Sequence, residues 1–261
     1  MNKTIKAAFF DIDGTLLLFG SHELPDSAVQ ALQTLQANGV KIFIATGRPP
    51  VHLPHLPALQ KVNWDGYVTM NGQYCFMTDG KVIYSKSIDP AALRTLLPYI
   101  EKEKLSIGFV EKDACYFNLI DERSANFAKE LGQGTADIAA RIAQNPIYQL
   151  SAFLPEECEE EFLRRCPGCL AVRWSPDFAD ILPAGGGKPN GLAEMLKHFG
   201  WTKDEAIAFG DGGNDVAMLQ YAGLGVAMGN ACDAAKAAAD YVTADIDKDG
   251  IAKALLHFGL L

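Results

Sequence analysis

The chain has 261 residues, 49% of them hydrophobic and 21% charged, with a formal net charge of −9. This composition fits a globular protein with room for one large domain or two modest ones, and the acidic balance argues against nucleic-acid or anionic-membrane binding. No uncharged run of about 18 apolar residues is present to span a membrane. The opening "MNKTIKAAFF" reaches Asp11 after too few apolar residues for a signal peptide, so a cytoplasmic location is expected.

Taken in chain order, "IKAAFF" reads as a buried strand that runs into Asp11 and Asp13. Residues 25–38 carry Val29, Leu32 and Leu35 at helical spacing, with Pro25 and Asp26 as start signals and Gly39 as the stop. "VKIFIAT" (40–46) is a second buried strand and "YVTM" (67–70) a third, so short strand–helix–strand units predict a parallel α/β sheet. "QYCFMTDGKVIYSK" (73–86) reads as a hairpin turning at Asp79-Gly80.

The middle changes character. A helix over 90–104, strands "LSIGFV" and "ACYFNL", helices near 122–131 and 135–144 and strand "IYQLSAFL" follow one another. A helix over 156–165 and strands near 169–173 and 178–182 close this mixed α+β block. Its acidic run "EECEEEF" reads as a solvated helix face. The chain returns through "PAGGGKP", a Gly-rich stretch suited to a hinge. The last third resumes strand–helix alternation through "GLAEMLKHFG", "AIAFGD", "DVAMLQYA", "GLGVAM", "CDAAKAAAD" and "YVT". The expected architecture is therefore α/β: a Rossmann-like parallel-sheet core over 1–85 and 185–261, with an inserted α+β domain over 86–184.

Three polar clusters fall at strand ends, where open parallel sheets bind ligands. In a strand, residues two apart face one side, so Asp11 and Asp13 are expected to project toward one site. Carboxylates that close need a cation between them or a shared proton. A hard divalent ion such as Mg²⁺ meets the first need and leaves positions open for phosphate; an ordinary turn or capping pair is the alternative. In "FGDGGND" (209–215), Asp211 lies between an apolar strand and two glycines, and Asp215 opens a helix, where an acid is also favoured by the macrodipole. In "IATGRPP", Thr46 offers a hydroxyl, Gly47 an approachable N–H and Arg48 a guanidinium for anionic oxygen. Lys188 is a further cation at a helix start, where an isolated lysine is usually exposed.

Other patterns carry less. "GGGKP" lacks the first Gly and the Ser/Thr of a P-loop. His52 and His55 form an HxxH without a glutamate partner. Cys166 and Cys169, in "CPGC", have no second pair at zinc-ligand spacing, and a turn with reduced thiols is the simpler reading.

Together "DIDGTL", "ATGR", Lys188 and "GDGGND" come in the order and spacing of the haloacid dehalogenase-like phosphatases. The chain most resembles their Cof-type sugar-phosphate phosphatases: "MNG" (70–72), then about a hundred residues before the motif lysine, looks like that subgroup's α+β cap. One departure is Lys188-Pro189-Asn190-Gly191, where the subgroup often has Lys-Gly. The resemblance implies Asp11 as nucleophile forming an aspartyl-phosphate and Asp13 as proton donor and then base. It implies Mg²⁺ on the Asp11 carboxylate, the Asp13 backbone carbonyl and Asp211, with Asp215 close or acting through water. Thr46, Gly47, Lys188 and Asn214 would hold the phosphoryl group, and Arg48, Asn71 and Asp180 would meet the rest of a small phosphorylated metabolite. A phosphomutase using the same aspartate and a non-catalytic sugar-phosphate sensor are the alternatives. A monomer or weak homo-oligomer is expected.

Overall fold

The computed structural model describes residues 4–18, 20, 22–131 and 134–261. In chain order the elements are β1 (Ala7–Phe10), α1 (Asp26–Ala37), β2 (Lys41–Ala45), β3 (Gly66–Thr69), β4 (Tyr74–Met77) and β5 (Val82–Ser85). Next come α2 (Pro90–Glu103), β6 (Ser106–Val110), β7 (Cys115–Phe117), α3 (Ala125–Leu131), α4 (Ile138–Gln144), β8 (Gln149–Phe153), α5 (Glu159–Arg165), β9 (Cys169–Arg173) and β10 (Ala179–Pro183). The chain finishes with α6 (Lys188–His198), β11 (Ala206–Gly210), α7 (Val216–Tyr221), β12 (Leu224–Ala227), α8 (Asp233–Ala238), β13 (Tyr241–Val242) and α9 (Gly250–His257).

These elements form two compact units. The first comprises residues up to Gly47, Leu53–Tyr84 and Gly187–Leu261; the second comprises Ser85–Gly186 with Arg48–His52. The first unit is built on an eight-stranded sheet in the order β13-β12-β11-β1-β2-β3-β4-β5, parallel from β13 through β3 and antiparallel at β3–β4. Sequence order reverses at β1, which has β2 on one side and β11 on the other, so its carboxyl end is the switch point of the sheet. β1 is buried on both faces, as a central strand between helical layers must be. On one face Phe9 stacks on Phe43 at 4.9 Å, and on the other Phe10 stacks on Phe209 at 4.7 Å. These cross-strand pairs fix the register just before the two acids.

α1 buries Ala28, Ala31, Leu32 and Leu35. It packs against α9, a C-terminal helix the sequence reading did not assign. α9 turns Ile251, Ala254 and Leu255 inward, a three-residue stripe too short to stand out as a helical period. Two 3₁₀ turns, Pro50–His55 and Pro57–Lys61, fill the stretch before β3, where repeated prolines remove the donors that a regular helix needs.

The second unit holds a five-stranded sheet, β7-β6-β8-β10-β9, with every neighbouring pair antiparallel. α2 starts at an aspartate cap, Asp89 accepting from the Ala91 N–H at 2.9 Å, and α4 starts the same way at Asp137. Leu93, Leu96 and Ile100 from α2, Ile138 and Ile142 from α4 and Phe162 from α5 form this unit's core with Ile107, Leu150 and Ile181.

Candidate active site

β1 ends at Phe10, one residue before the first acid. The Asp11 N–H still donates to Phe209 O, at 3.0 Å, but the Ile12 carbonyl takes the Leu16 and Leu17 N–H groups and turns the chain away. Asp13 therefore lies in a turn, and the strand alternation expected to align it with Asp11 does not extend that far. Asp11 is 6% exposed, whereas Asp13 is part-exposed.

Lys188 is fully buried, and its ammonium donates to Asp11 Oδ1 at 2.5 Å and to Asp215 Oδ1 at 2.6 Å. The lone-lysine expectation of an exposed loop does not hold. The first turn of α6 packs onto the Met70–Gly72 turn so tightly that a Cβ at Gly191 would sit 2.4 Å from Val68 Cγ1 and 2.8 Å from Gly72 Cα. Pro189 fits the first turn, where its missing N–H costs nothing. The Lys188-Pro189-Asn190-Gly191 spelling thus still delivers the lysine to the carboxylates.

Asp215 has both oxygens engaged: Oδ1 by Lys188, and Oδ2 by the Asp211 and Gly212 N–H groups, each at 2.9 Å. Gly210 is required beneath it, because a Cβ there would lie 2.5 Å from the Asp215 Cβ. Asp211 Oδ1 accepts from the Thr15 hydroxyl at 2.7 Å. Thr15 was missed in the sequence, where its place inside "DGTL" was the only signal. Among the described residues, Asp11, Asp211 and Asp215 are the acidic group whose ligand atoms lie within 4.8 Å of one another; the Asp13 side chain is outside it.

Electrostatics follow from this crowding. Burial, with the charges of Asp215, Asp211 and Asp13, holds the Asp11 carboxyl well above its ordinary value against the pull of Lys188. Burial and then Asp215 push Asp211 up to about 7, with the Thr15 hydrogen bond opposing. Burial works against the Lys188 charge, but Asp11 and Asp215 outweigh it and raise its pKa. Three buried carboxylates and one ammonium leave a formal excess of two negative charges when all are ionised. Further positive charge is what such a cluster lacks.

Of the phosphate-binding candidates, Lys188 lies in this cluster, and Thr46, Gly47 and Asn214 meet around Asn71. Thr46 is tied to β3 and the following turn: its N–H donates to Val68 O at 2.8 Å and its carbonyl accepts from the Asn71 N–H at 3.0 Å. Asn71 adopts a left-handed conformation (φ 51°), which asparagine tolerates better than most residues. Its side chain lies against Gly47, where a Cβ would be 3.2 Å from Asn71 Nδ2, and its Oδ1 accepts from Asn214 Nδ2 at 3.3 Å. Asn71 therefore links the loops after β2 and β11.

Arg48 and Asp180 belong to the second unit. Asp180 is buried; its Oδ1 accepts from Gln149 at 3.0 Å and Ser151 at 3.2 Å, and its Oδ2 from the Trp174 indole at 2.9 Å. The same unit contains a cavity of about 420 Å³ lined in part by Glu111, Arg141, Tyr116 and Tyr148. Arg141 pairs with Glu111 at 2.7 Å and lies over the Tyr116 ring at 4.3 Å. Neither residue was singled out from the sequence.

The family described as haloacid dehalogenase-like hydrolase matches residues 8–255. This chain is a haloacid dehalogenase-like hydrolase. The pyridoxal phosphate phosphatase YbhA of Escherichia coli (strain K12) is 29% identical to it over 96% of this chain and 97% of its own. YkrA of Bacillus subtilis (strain 168), provisionally named a phosphatase, is 33% identical over 98% of both chains. Among solved structures, the subclass IIB sugar phosphatase BT4131 matches with TM-score 0.89 and 42% identity, covering 98% of this chain and 100% of that one. BT1666 from Bacteroides thetaiotaomicron matches with TM-score 0.91 and 33% identity, over 99% and 96%. As a haloacid dehalogenase-like hydrolase the chain is an enzyme, and its relatives place it in the phosphatase group.

Proposed function

We propose that this enzyme is a Mg²⁺-dependent phosphatase that hydrolyses small phosphate monoesters, sugar phosphates first among them, through an aspartyl-phosphate on Asp11. The observation that carries the reading is the Asp11–Lys188–Asp215–Asp211 cluster at the switch point of the sheet. The donor set fits the metal: it is all oxygen, carries excess negative charge and is free of soft ligands. Asp11 and Asp211 each keep one carboxylate oxygen without a partner among the described residues, whereas Asp215 is saturated. Asp11, Asp211 and the Asp13 backbone carbonyl would hold the ion directly, with Asp215 acting through water. Bound there, Mg²⁺ supplies charge neutralisation of the phosphoryl oxygens.

Lys188 fixes the Asp11 carboxylate by one oxygen and favours its ionised form, the form that in-line attack on phosphorus requires. Asp13, part-exposed and outside the cluster, gives its proton to the departing alkoxide and then takes one from the water that cleaves the aspartyl-phosphate. The Thr46 hydroxyl, Gly47 N–H, Asn214 amide and Lys188 ammonium clamp the phosphoryl oxygens, and such charge clamping supplies much of the acceleration in phosphoryl transfer. Arg48, Asn71 and Asp180 read the rest of the substrate. The inserted unit acts as a specificity-bearing cap; its cavity offers both charge and an aromatic face. The sugar class is supported by BT4131, itself a sugar phosphatase. A cytoplasmic enzyme, monomeric or weakly associated, accords with the acidic surface and with the lack of any helix long and apolar enough to cross a membrane among the described residues.

Phosphate release from hexose, pentose and nucleotide monophosphates, with and without Mg²⁺, tests this reading. Metal-dependent release, best with sugar phosphates, is expected. Isomerised ester without release would make the enzyme a mutase, and no reaction with any ester in Mg²⁺ would remove the proposal.

A further inference from the structure

The "CPGC" turn, which plays no part in the reaction above, has a geometry that the sequence did not reveal. Cys166 follows α5 and Cys169 opens β9, with Gly168 at φ 80° turning the chain between them. The two sulfurs are 3.5 Å apart, the Cys166 thiol donating to Cys169 Sγ. Cys166 is fully buried, whereas Cys169 is part-exposed. The turn is also tied to the return segment of the insert. Gly168 O accepts from the Ala184 N–H at 2.7 Å, Cys169 pairs in register with Pro183, and Lys86 Nζ reaches Ala184 O at 2.8 Å.

We propose that Cys166 and Cys169 form a reversible thiol–disulfide site that reacts with small-molecule disulfides, Cys169 as the attacking sulfur and Cys166 as the resolving one. The asymmetry sets these roles. The sulfur of the part-exposed cysteine accepts a hydrogen bond, which favours its thiolate, and the buried cysteine holds the proton. The hydrogen bond from Cys166 lowers the Cys169 pKa against burial and the nearby Asp89, and the same bond, reinforced by burial, raises that of Cys166. Reactive thiols combine a stabilised thiolate with access. Cys75 and Cys115 lack both: burial raises the first and pushes the second up to about 12.

The chemistry balances. Cys169, its proton lost to solvent, attacks one sulfur of R–S–S–R, forms Cys169–S–S–R and expels RS⁻. Cys166 gives its proton to that leaving thiolate and attacks the Cys169 sulfur, expelling a second RS⁻ that takes a proton from solvent. Two cysteine thiols are oxidised to one disulfide, and one small disulfide is reduced to two thiols. The sulfurs need to approach by about 1.5 Å to reach bonding distance, a movement confined to a turn that already holds them in contact.

The test uses the full chain with Cys232→Ser, which removes an exposed thiol from the background, treated with glutathione disulfide. Expected are loss of two thiols per chain, an intact mass lower by two hydrogens, a peptide map joining Cys166 to Cys169, and reversal by dithiothreitol. Cys169→Ser is expected to slow the reaction at this site at least ~10-fold, and Cys166→Ser to stop it at a glutathione adduct on Cys169. A map of the unsubstituted chain with both residues still thiols in excess glutathione disulfide overturns the proposal, whether or not the variants fold. Unchanged reaction at Cys166 in Cys169→Ser overturns the assigned roles.

Discussion

Replacing Asp211 by Asn is expected to stabilise the metal-free protein, although it removes a proposed ligand. The Asn side-chain oxygen keeps the Thr15 hydrogen bond that Asp211 Oδ1 accepts at 2.7 Å, while the buried charge facing Asp215 disappears. The Asp211 carboxyl is raised from 3.8 to about 7. A raised acid binds its proton more tightly in the folded state, so its charged form penalises folding above the folded value, and the penalty fades as pH falls toward the unfolded one. At roughly 1.4 kcal/mol for each tenfold change in proton affinity, that rise amounts to about 4 kcal/mol at pH 8, falling to about 1–2 kcal/mol at pH 5. For a chain of this size that is a melting-temperature gain of roughly 8–16 °C at pH 8. Thermal melts of both proteins in chelator across pH 5–8 read the effect directly. Added Mg²⁺ should raise the parent by about 2.7 kcal/mol at a hundred times its Kd and leave Asp211→Asn almost unmoved. A gap that does not shrink on acidification, or a parent more stable at every pH without metal, would refute the argument that Asp211 is held at an electrostatic cost.

The other acids and their supports make separate expectations. Asp11→Asn retains an acceptor for Lys188 but no nucleophile, and turnover should fall by at least ~10³-fold with folding intact by circular dichroism. Lys188→Met leaves buried carboxylates without their ammonium and should cost about 3–5 kcal/mol in urea melts. Thr15→Val preserves shape while removing the hydroxyl from Asp211, so Mg²⁺ affinity, read from the metal dependence of activity, should weaken ~10-fold or more. Gly210→Ala drives a methyl into Asp215 and should cost about 1–3 kcal/mol in the same melts.

Much of this was legible in the sequence because the reacting groups sit at the ends of apolar strands, and strands announce themselves. The runs containing Phe9, Phe43 and Phe209 marked three neighbouring strands, and the polar residues just beyond each marked one edge of the sheet. What escaped was whatever depends on contacts across the fold. Thr15 meets Asp211 from 196 residues away, and no local pattern separates it from an ordinary turn threonine. The burial of Lys188 depends on two glycines that let α6 press onto the turn after β3, a packing fact invisible in "GGGKPNG". Asp180 looked open to a ligand at its strand position, yet Gln149, Ser151 and Trp174 already surround it. Strand periodicity does not set the placement of Asp11 relative to Asp13, for a local reason: β1 ends at Phe10 and the Ile12 carbonyl is drawn into a turn.

The central place of β1 governs how the chain must be made. Ala7 pairs with Lys41 on one side and with Ala206 on the other, so one flank of this strand can close early and the other only once β11 has been made. At about 5–20 residues per second, a nascent chain waits many seconds between the two events. The insert, with its own core, can fold during that wait and shorten the loop that β11 must close. Until then β1 offers an uncovered apolar edge, the feature most apt to pair with a neighbouring chain. Fragments ending before Ala206 should therefore carry Asp11, Asp13 and Thr46 yet be both inert and prone to aggregate.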